Sequence, residues 1–553
     1  MRQLDLADIQ GGILRAYGRL GFPKGRAFFL TIHDPVAGRR FVEALRPRIT
    51  TAARWHDPKR GTPLLRTPHP KLTDAIRAAG IPDYPGVVQL EKPKVTINLA
   101  FSFLGLLALQ VPTRTLRGMP DEFMDGMESR APMLGDTPFL DRRDAIWRQA
   151  KDTPIHLMVS MNAEMDDAGN PVPELEAETR WLRDLCAASD EGVALVPGHG
   201  PTGADYQDMS ALLRQDNGKA VPSNREHFGL ADGYGDPVFS GQYGPKAEAI
   251  KQVGGGKLLP DGTWAPIATG EFLLGYPDEA QEIPGAAMPL EFSRNGTFLA
   301  YRKLHENARA FAGYIGAQGG LMAGLTGMPP TEAQATASAK LVGRWADGVP
   351  LSVAPDFAAW QRFNTALAAS QAAGDTAALA AFAAQMVSFT HAGDPAGASC
   401  PVTAHMRRAN PRAGLGPVAD SGSALANRRR ILRRGLPYGS VDADTTDDAG
   451  EHGIVFMAVC ASLFRQFEFV QQQWVQYGLD FNVGSDTCPL VGNHAQPGQA
   501  PPHYVIPVDP AGQETPFICR EMPQFVEPRG GEYFFVPSMT ALRMIGMGIV
   551  DPT

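Results

Sequence analysis

The amino-acid sequence predicts an α+β fold with antiparallel sheets and peripheral helices, because strand and helix signals alternate along it. In the first half, apolar and β-branched runs predict strands, and apolar residues at helical spacing predict helices between them. The resulting order, strand–helix–strand and again strand–helix–strand, is that of a ferredoxin-like domain. The predicted strands are 27–32, 95–101, 155–161 and 193–196, and the predicted helices are 36–45 and 178–188.

The second half repeats this order more loosely, although no sequence repeat is detectable. Its predicted strands are 297–301, 454–459 and 533–536, and its predicted helix is 463–475. A polar stretch near 215–225 marks the best boundary, which gives domains 1–220 and 221–553. An Ala-rich stretch at 331–385, broken at Gly343 and Pro350, predicts a helical insertion in the second domain.

Composition excludes several classes of protein. A chain of 553 residues is long for one hydrophobic core, and its net charge of −8 argues against a nucleic-acid partner. Five cysteines without a CxxC pair indicate a reducing compartment. The beginning of the chain lacks the apolar region of an export signal, so we expect a cytoplasmic protein. The apolar run 95–111 contains polar interruptions and predicts a buried strand and a short helix, not a membrane span.

The segment 227–237 holds Asp232 in a Gly-x-x-Asp-Gly turn. Glycines at Gly229, Gly233 and Gly235 allow a sharp turn and a close approach of the backbone to a flat ligand. Such turns mostly have a structural role, so this motif indicates a functional site only together with two later segments. Residues 400–412 place His405 between two prolines, and residues 430–439 hold an arginine cluster.

An aspartate in a tight turn, a single histidine and an arginine cluster, in this order, resemble the long subclass of the dye-decolourising peroxidases, a family of haem b peroxidases. Further matching blocks run almost from end to end of the chain, at 8–14, 272–277, 295–299, 302–304, 465–469 and 530–537. The resemblance implies two ferredoxin-like halves, with haem b in the C-terminal half. It also implies hydrogen peroxide as oxidant, and phenolic compounds and dyes as one-electron reductants.

The resemblance also assigns roles on the side of the haem where peroxide binds. Asp232 would carry the proton between the peroxide oxygens, which favours activity at acidic pH, and Gly233 would contact the cofactor. Asp236 is a local alternative to Asp232. Arg433, the first arginine after Ile-Leu, would be the cation over the iron, and Arg434 is its neighbour in the cluster.

On the other side, His405 would ligate the iron. A carboxylate that accepts from its second ring nitrogen would make the ligand a stronger electron donor. Asp486 is the candidate for this partner, with Asp480 and Glu468 as alternatives. Arg407 is a candidate partner of a haem propionate, and a surface role is the alternative.

The sequence therefore predicts a haem peroxidase, and the alternative is a haem-handling protein with little turnover. Trp345, Trp360 and Tyr438 are candidates for relaying electrons from bulky dyes. The oligomeric state is left open between monomer and homodimer. A GxGxxG match at 198–203 argues weakly for a dinucleotide site, since Pro201 removes a backbone donor from the turn and no strand is predicted near residue 220.

Overall fold

Ten strands of the computed structural model form one sheet in which every strand pairing is antiparallel. The structure describes residues 4–55, 91–149, 153–284, 286–415, 422–441, 447–495, 502–508 and 513–550. The strands are β1 (Lys24–Ile32), β2 (Val95–Phe101), β3 (Leu157–Ala163), β4 (Val193–Leu195), β5 (Gln207–Ser210), β6 (Thr297–Glu306), β7 (Leu432–Arg433), β8 (Leu436–Gly439), β9 (His452–Cys460) and β10 (Val526–Val536).

The N-terminal half has the strand order β2-β3-β1-β4, with β5 on the edge of β1. Helix α1 (Pro35–Leu45) follows β1, and α2 (Pro173–Ala187) follows β3. Helix α1 begins where the sequence dictates, because the Asp34 carboxylate accepts from the Ala37 amide at 2.7 Å and Pro35 occupies the first helical position. This is the ferredoxin-like order that the sequence predicts.

The C-terminal half has the strand order β7-β9-β6-β10, with β8 also paired to β9. Counted along the chain within each four-strand order, this arrangement matches that of the N-terminal half, because the first strand lies between the third and the last. The two halves join where Phe535 of β10 faces Phe101 of β2. The ferredoxin-like duplication is therefore confirmed, but its two sheets are continuous with each other. The division into domains at residue 220 stays a prediction, and a hairpin of Leu213–Asp216 with Lys219–Pro222 spans that position.

The helices of the C-terminal half lie mainly between β6 and β7. They are α3 (Ala308–Thr326), α4 (Pro330–Val342), α5 (Phe357–Ala373), α6 (Thr376–Gln385) and α7 (His405–Ala409). Helix α4 ends at Gly343, whose φ of 98° is the left-handed conformation that a helix end favours. Helices α4, α5 and α6 occupy the Ala-rich stretch 331–385, and its assignment as an insertion stays a prediction. Two π-type segments, Leu463–Glu468 and Val470–Gln476, replace the predicted helix at 463–475.

The remaining elements are short. They are the helices Gly11–Leu14, Phe103–Ala108, Thr113–Leu116, Asp121–Ser129, Ala131–Leu134, Ala145–Arg148, Pro245–Gly255, Leu290–Ser293, Gly422–Asn427 and Met539–Met547; the 3-10 turns Tyr17–Leu20, Arg46–Arg48, Thr137–Arg142, Thr269–Glu271 and Leu479–Phe481; and the ribbons Lys257–Leu258 with Trp264–Ala265 and Tyr504–Ile506 with Phe517–Cys519.

Two weak sequence signals have structural explanations. The apolar run 95–111 forms β2 and the helix Phe103–Ala108, and none of the helices described is long and apolar enough to cross a membrane. The glycine-rich turn at 198–203 is closed on itself by backbone hydrogen bonds between His199 and Ala204. The sequence also predicts a loop at 413–426, and residues 416–421 of that stretch lie outside the described residues.

One face of the C-terminal half forms the floor of a cavity. Alternate residues of a strand point to the same face of a sheet, and strands β6, β9 and β10 each present such a set to the cavity. These residues are Arg302, Leu304, Glu306, Ile454, Phe456, Val526 and Pro528. The fold therefore places a cavity in the half of the chain where the sequence predicts the functional site.

Candidate active site

A cavity of about 320 Å³ lies over the sheet of the C-terminal half. Three segments that the sequence singles out border it: the turn with Asp232, strand β7 with Arg433, and helix α7 with His405. Residues separated by about 200 positions in the chain thus reach one cavity. We call the first two segments the Asp232–Arg433 wall and the third the His405 wall.

The turn of the Asp232–Arg433 wall is held by backbone hydrogen bonds. The Asp232 amide donates to the Asn224 carbonyl at 2.7 Å, and the Ala231 amide donates to the Ala346 carbonyl at 3.0 Å. The Glu226 carboxylate accepts from the amides of Phe228 and Leu230 at 2.6 and 3.1 Å. The Asp232 side chain is therefore aimed by a fixed backbone.

Asp232 and Arg433 form an ion pair. Arg433 Nη1 donates to Asp232 Oδ1 at 2.6 Å, and Arg433 Nη2 donates to the Tyr234 carbonyl at 3.2 Å. Desolvation opposes ionisation of the carboxyl, but the Arg433 charge and the Gly233 amide outweigh it and lower the pKa of Asp232 to about 2. Asp232 leaves 46% of its side chain exposed, because that surface borders the cavity. The carboxylate is thus ionised and accessible within the cavity.

The neighbouring candidates point elsewhere. Arg434 donates to the carbonyls of Gly12 and Ile13 at 2.8 Å and does not border the cavity. Asp236 accepts from Arg19 at 3.0 Å and does not border the cavity either. Since consecutive residues of a strand face opposite sides, only one of the two adjacent arginines can reach the cavity. That residue is Arg433.

His405 is the first residue of α7 and borders the cavity. Its Nδ1 lies 3.3 Å from the sulfur of Cys488, which is fully buried. Desolvation opposes protonation of the imidazole, but the charge and the hydrogen bond of Cys488 outweigh it and raise the pKa of His405. With Nδ1 engaged by the sulfur, Nε2 is the nitrogen that can act as a ligand.

The prediction that Asp486 is the partner of His405 is wrong. Its carboxylate lies 3.6 Å from His503 Nε2. The two alternatives are also engaged: Asp480 accepts from Trp474 Nε1 at 2.8 Å, and Glu468 pairs with Arg130 at 2.8 Å. Cys488 holds the position because its amide is tied to the Val475 carbonyl at 2.7 Å, which turns its side chain toward the imidazole.

The assignment of Arg407 to a cofactor propionate is wrong as well. Arg407 is buried and does not border the cavity, and its guanidinium donates to the carbonyls of Cys400 and Asp394 at 2.7 and 2.8 Å. Residues two positions apart on a helix lie about 200° apart around its axis. A residue two places after His405 therefore faces away from the cavity, and it ties α7 to the preceding loop.

Gly233 does not border the cavity, so the structure does not place it against a flat ligand. Its φ is 96°, and a Cβ at this position would lie 3.0 Å from Arg19 Nε. Glycine is needed here for the left-handed turn and for the close packing of Arg19. Its contribution to the site is the conformation that presents Asp232.

Several charged residues of the cavity are not anticipated by sequence reasoning. Glu226 and Glu306 share a hydrogen bond. Desolvation and the charge of Asp232 raise the pKa of Glu226 to about 7, and desolvation with the charges of Glu226 and Asp232 raises the pKa of Glu306. Four further arginines border the cavity, namely Arg302, Arg344, Arg412 and Arg430. Arg302, Arg412 and Arg430 lie in segments that carry the resemblance, but the sequence gives them no role, and only the fold brings the four together.

The residues of this cavity fit a haem group. Among the described residues, no group of three or more histidine, cysteine, aspartate or glutamate side chains could hold a metal ion, whereas haem needs a single imidazole from the protein. Haem also carries two carboxylates. Arg302 Nη1 and Arg430 Nη2 are buried without a hydrogen-bond partner in the described part of the chain, so each can bind an anionic group, while Arg302 Nη2 pairs with Asp136 at 2.6 Å.

Comparisons with known proteins point the same way, although no family model matches the chain. The chain is 29% identical over 565 residues to a multifunctional dye peroxidase of an Amycolatopsis species. This alignment covers 98% of this chain and 96% of that protein. It is 27% identical over 467 residues to a dye-decolorizing peroxidase of Auricularia auricula-judae, across 82% of this chain and 75% of the relative.

Solved structures of similar fold span nearly the whole chain. An ancestral D-type dye decolorizing peroxidase superposes with a TM-score of 0.66 at 25% identity, covering 98% of this chain and 99% of that one. A dye-decolorizing peroxidase in complex with 2,6-dimethoxyphenol superposes with a TM-score of 0.65 at 23% identity, covering 98% and 100%. The likeness therefore includes both ferredoxin-like halves.

Proposed function

We propose that this chain is a dye-decolourising peroxidase, and that it binds haem b and uses hydrogen peroxide to oxidise small aromatic compounds and dyes. One observation carries the proposal for this chain. His405 and the Asp232–Arg433 pair border the same cavity, so a metal ligand and an acid–base pair with a cation meet in one place. A peroxidase needs both.

His405 Nε2 holds the iron in this proposal, and Arg302 and Arg430 bind the carboxylates of the haem. Haem, when bound, supplies the iron at which peroxide is reduced and holds the oxidising equivalents for later one-electron steps. In this role the imidazole is neutral, with its hydrogen on Nδ1 facing the Cys488 sulfur 3.3 Å away and its lone pair on Nε2.

Asp232 moves the proton that peroxide cleavage requires. A carboxylate offers about four acceptor sites, so the hydrogen bonds from Arg433 and the Gly233 amide leave capacity for a further donor. Asp232 accepts a proton from one peroxide oxygen and returns it to the other, which leaves as water. With a pKa of about 2 it is ionised, and so available as a proton acceptor, at any ordinary pH.

Arg433 stabilises the negative charge that develops on the departing oxygen. Its guanidinium stays protonated, because the charge of Asp232 raises its pKa. One hydrogen peroxide takes up two protons and two electrons to form two molecules of water. Two molecules of a phenol supply these, each losing one electron and one proton.

We propose aromatic reductants because the relatives are dye peroxidases and one is described with 2,6-dimethoxyphenol. For bulky dyes, the relay through Trp345, Trp360 or Tyr438 stays a prediction. Trp345 and Trp360 stack at 4.7 Å between ring centroids and 5° between ring planes. Tyr438 is buried and does not border the cavity. A cytoplasmic location also stays a prediction, supported by five buried free cysteines.

Turnover tests this function directly. The purified protein, supplied with haemin, should show a Soret band at one haem per chain and should oxidise 2,6-dimethoxyphenol only when hydrogen peroxide is present. Haem binding without turnover would support a haem-handling role instead and would contradict the proposal. Absence of haem binding would contradict both functions.

A further inference from the structure

The group beside His405, the iron ligand of the proposed function, is a cysteine sulfur, where the sequence analysis expects a carboxylate. His405 Nδ1 lies 3.3 Å from Cys488 Sγ, and this is the one hydrogen bond of the His405 ring that the described residues provide. The three carboxylates considered for this place are engaged with His503, Trp474 and Arg130. No acid of the described segments therefore takes the second nitrogen of the ring.

The position of Cys488 is fixed by its own backbone. Its amide donates to the Val475 carbonyl at 2.7 Å, and its carbonyl accepts from the Gly492 amide at 2.9 Å. His494 Nε2 lies 3.0 Å from the same carbonyl. The Val491 amide also donates to the sulfur. A side chain held this firmly can hold another in place.

Helix α7 is fixed against the same loop. Arg408 donates to the Trp474 carbonyl at 3.0 Å and to the Asp486 carbonyl at 2.7 Å, and it is fully buried. Since Asp486 and Cys488 belong to one loop, these contacts set the distance between that loop and α7. The imidazole and the sulfur are thus brought together by the fold, not by a flexible contact.

We propose that Cys488 is the positioning residue of His405. Its sulfur accepts from Nδ1–H and so holds the ring in the orientation and tautomer that direct the Nε2 lone pair into the cavity. This inference rests on the proposed haem-binding function. Partners in this place orient a metal-binding histidine and raise its basicity. Sulfur is a weak hydrogen-bond acceptor, so His405 is a weaker electron donor than it would be beside a carboxylate.

Three substitutions of Cys488 test this inference in the haem-loaded protein. Cys488→Ala removes the acceptor, so the iron–histidine stretching frequency of the ferrous protein should fall and the ferric/ferrous midpoint potential should rise. Loss of haem to apomyoglobin should become about 10- to 100-fold faster. Cys488→Asp supplies a stronger acceptor and should move the frequency and the potential in the opposite direction. Cys488→Ser keeps an acceptor of similar size and should lie closer to wild type than the alanine variant.

Cys400→Ala is the matched control. Cys400 is as buried as Cys488 and lies five residues before His405, but the contact of His405 Nδ1 is with the Cys488 sulfur. It should leave the frequency and the potential unchanged. Equal values in wild type and Cys488→Ala, or equal shifts in the two alanine variants, would overturn the inference. A wild-type protein that binds no haem would instead overturn the proposed function on which it rests.

Discussion

The two walls of the cavity hold their functional side chains by different means. In the Asp232–Arg433 wall, two opposite charges 2.6 Å apart face the cavity with 46% and 32% of their side chains exposed. In the His405 wall, a buried sulfur and a network of backbone hydrogen bonds fix one imidazole. The ion pair keeps Asp232 and Arg433 charged, whereas the Cys488 sulfur directs the lone pair of His405 Nε2. Substitutions in the two walls should therefore fail in different ways.

The largest effect is expected in the His405 wall. His405→Ala should abolish tight binding of haem while the protein stays folded, because the iron loses its protein ligand. The Soret absorbance per chain after gel filtration measures binding, and circular dichroism measures folding. His503→Ala is the control, because His503 is half exposed and contacts Asp486, not the cavity. A His405→Ala protein that keeps one haem with an unchanged spectrum would show that another residue is the ligand.

In the Asp232–Arg433 wall, Asp232→Asn should keep haem but slow the reaction with peroxide by about 10²- to 10⁴-fold, because the proton acceptor is lost. Stopped-flow absorbance after mixing with peroxide measures this rate. Asp236→Asn is a matched control four residues away, paired with Arg19 outside the cavity. Equal rates in the Asp232→Asn and Asp236→Asn variants would remove Asp232 from the mechanism.

Arg433→Leu should slow the same step by about 10²- to 10³-fold, since a preorganised positive charge is removed. Its neighbour gives the sharpest control. Arg434 ties β7 to the carbonyls of Gly12 and Ile13, so Arg434→Leu should lower the unfolding temperature and leave the peroxide reaction of the folded protein near wild type. A slow Arg434→Leu and a fast Arg433→Leu would mean that the register of this strand is wrong.

The double variant of Asp232 and Arg433 shows whether the two residues act together. Residues that act as a unit lose less on double substitution than the sum of their separate losses. The Asp232→Asn, Arg433→Leu protein should be at least as slow as the slower single variant. If it reacts with peroxide as fast as wild type, this pair has no part in the reaction.

The pH dependence should separate the walls further. Asp232 accepts a proton only when ionised, so the peroxide reaction should be lost as pH falls through its pKa of about 2. In Arg433→Leu the carboxyl keeps its desolvation but loses the charge that lowers its pKa most, so its pKa should rise above about 2 and the acid limb should move to higher pH. A profile of the rate of peroxide reaction against pH tests this. An unmoved limb would assign the titration to another group.

The smallest effect concerns the Glu226–Glu306 pair beside Asp232. A folded-state pKa of about 7 for Glu226 means that its stabilising contribution is present at low pH and lost as pH rises through 7. Each pKa unit corresponds to about 1.4 kcal/mol. Glu226→Gln should therefore raise the unfolding temperature at pH 8 and change it little at pH 4. Glu128→Gln, on a half-exposed side chain, should do neither. If the unfolding temperatures of wild type and Glu226→Gln changed equally between pH 4 and pH 8, this account would be contradicted.

The strand order could be predicted from local patterns, whereas the choice of Asp232 and Arg433 came from the family resemblance. The structure explains that choice, because consecutive residues of an extended chain face opposite sides, which separates Arg433 from Arg434, and left-handed glycines form the turn that aims Asp232. Helical geometry excludes Arg407 from the cavity, because a residue two places after His405 faces the other side of α7. The continuity of the two sheets could not be predicted, because the junction of Phe535 with Phe101 joins residues far apart in the chain.

The partner of His405 could not be predicted for another reason. Asp486 and Cys488 are two residues apart in a loop without periodicity, so no pattern decides which side chain turns toward α7. The outcome depends on the hydrogen bond from the Cys488 amide to Val475, a contact between distant elements. The arginines that line the cavity are equally non-local. Sequence patterns therefore predict the residues of a site that belong to local motifs and miss those that only long-range contacts bring to it.

The most direct test of the central claim is the absorption spectrum of the purified, haem-loaded protein before and after one equivalent of hydrogen peroxide. The account predicts a Soret band that shifts within seconds of mixing and returns when 2,6-dimethoxyphenol is added, with a much slower shift in the Asp232→Asn, Arg433→Leu protein. A Soret band that one equivalent of peroxide leaves unchanged in the wild-type protein would contradict it.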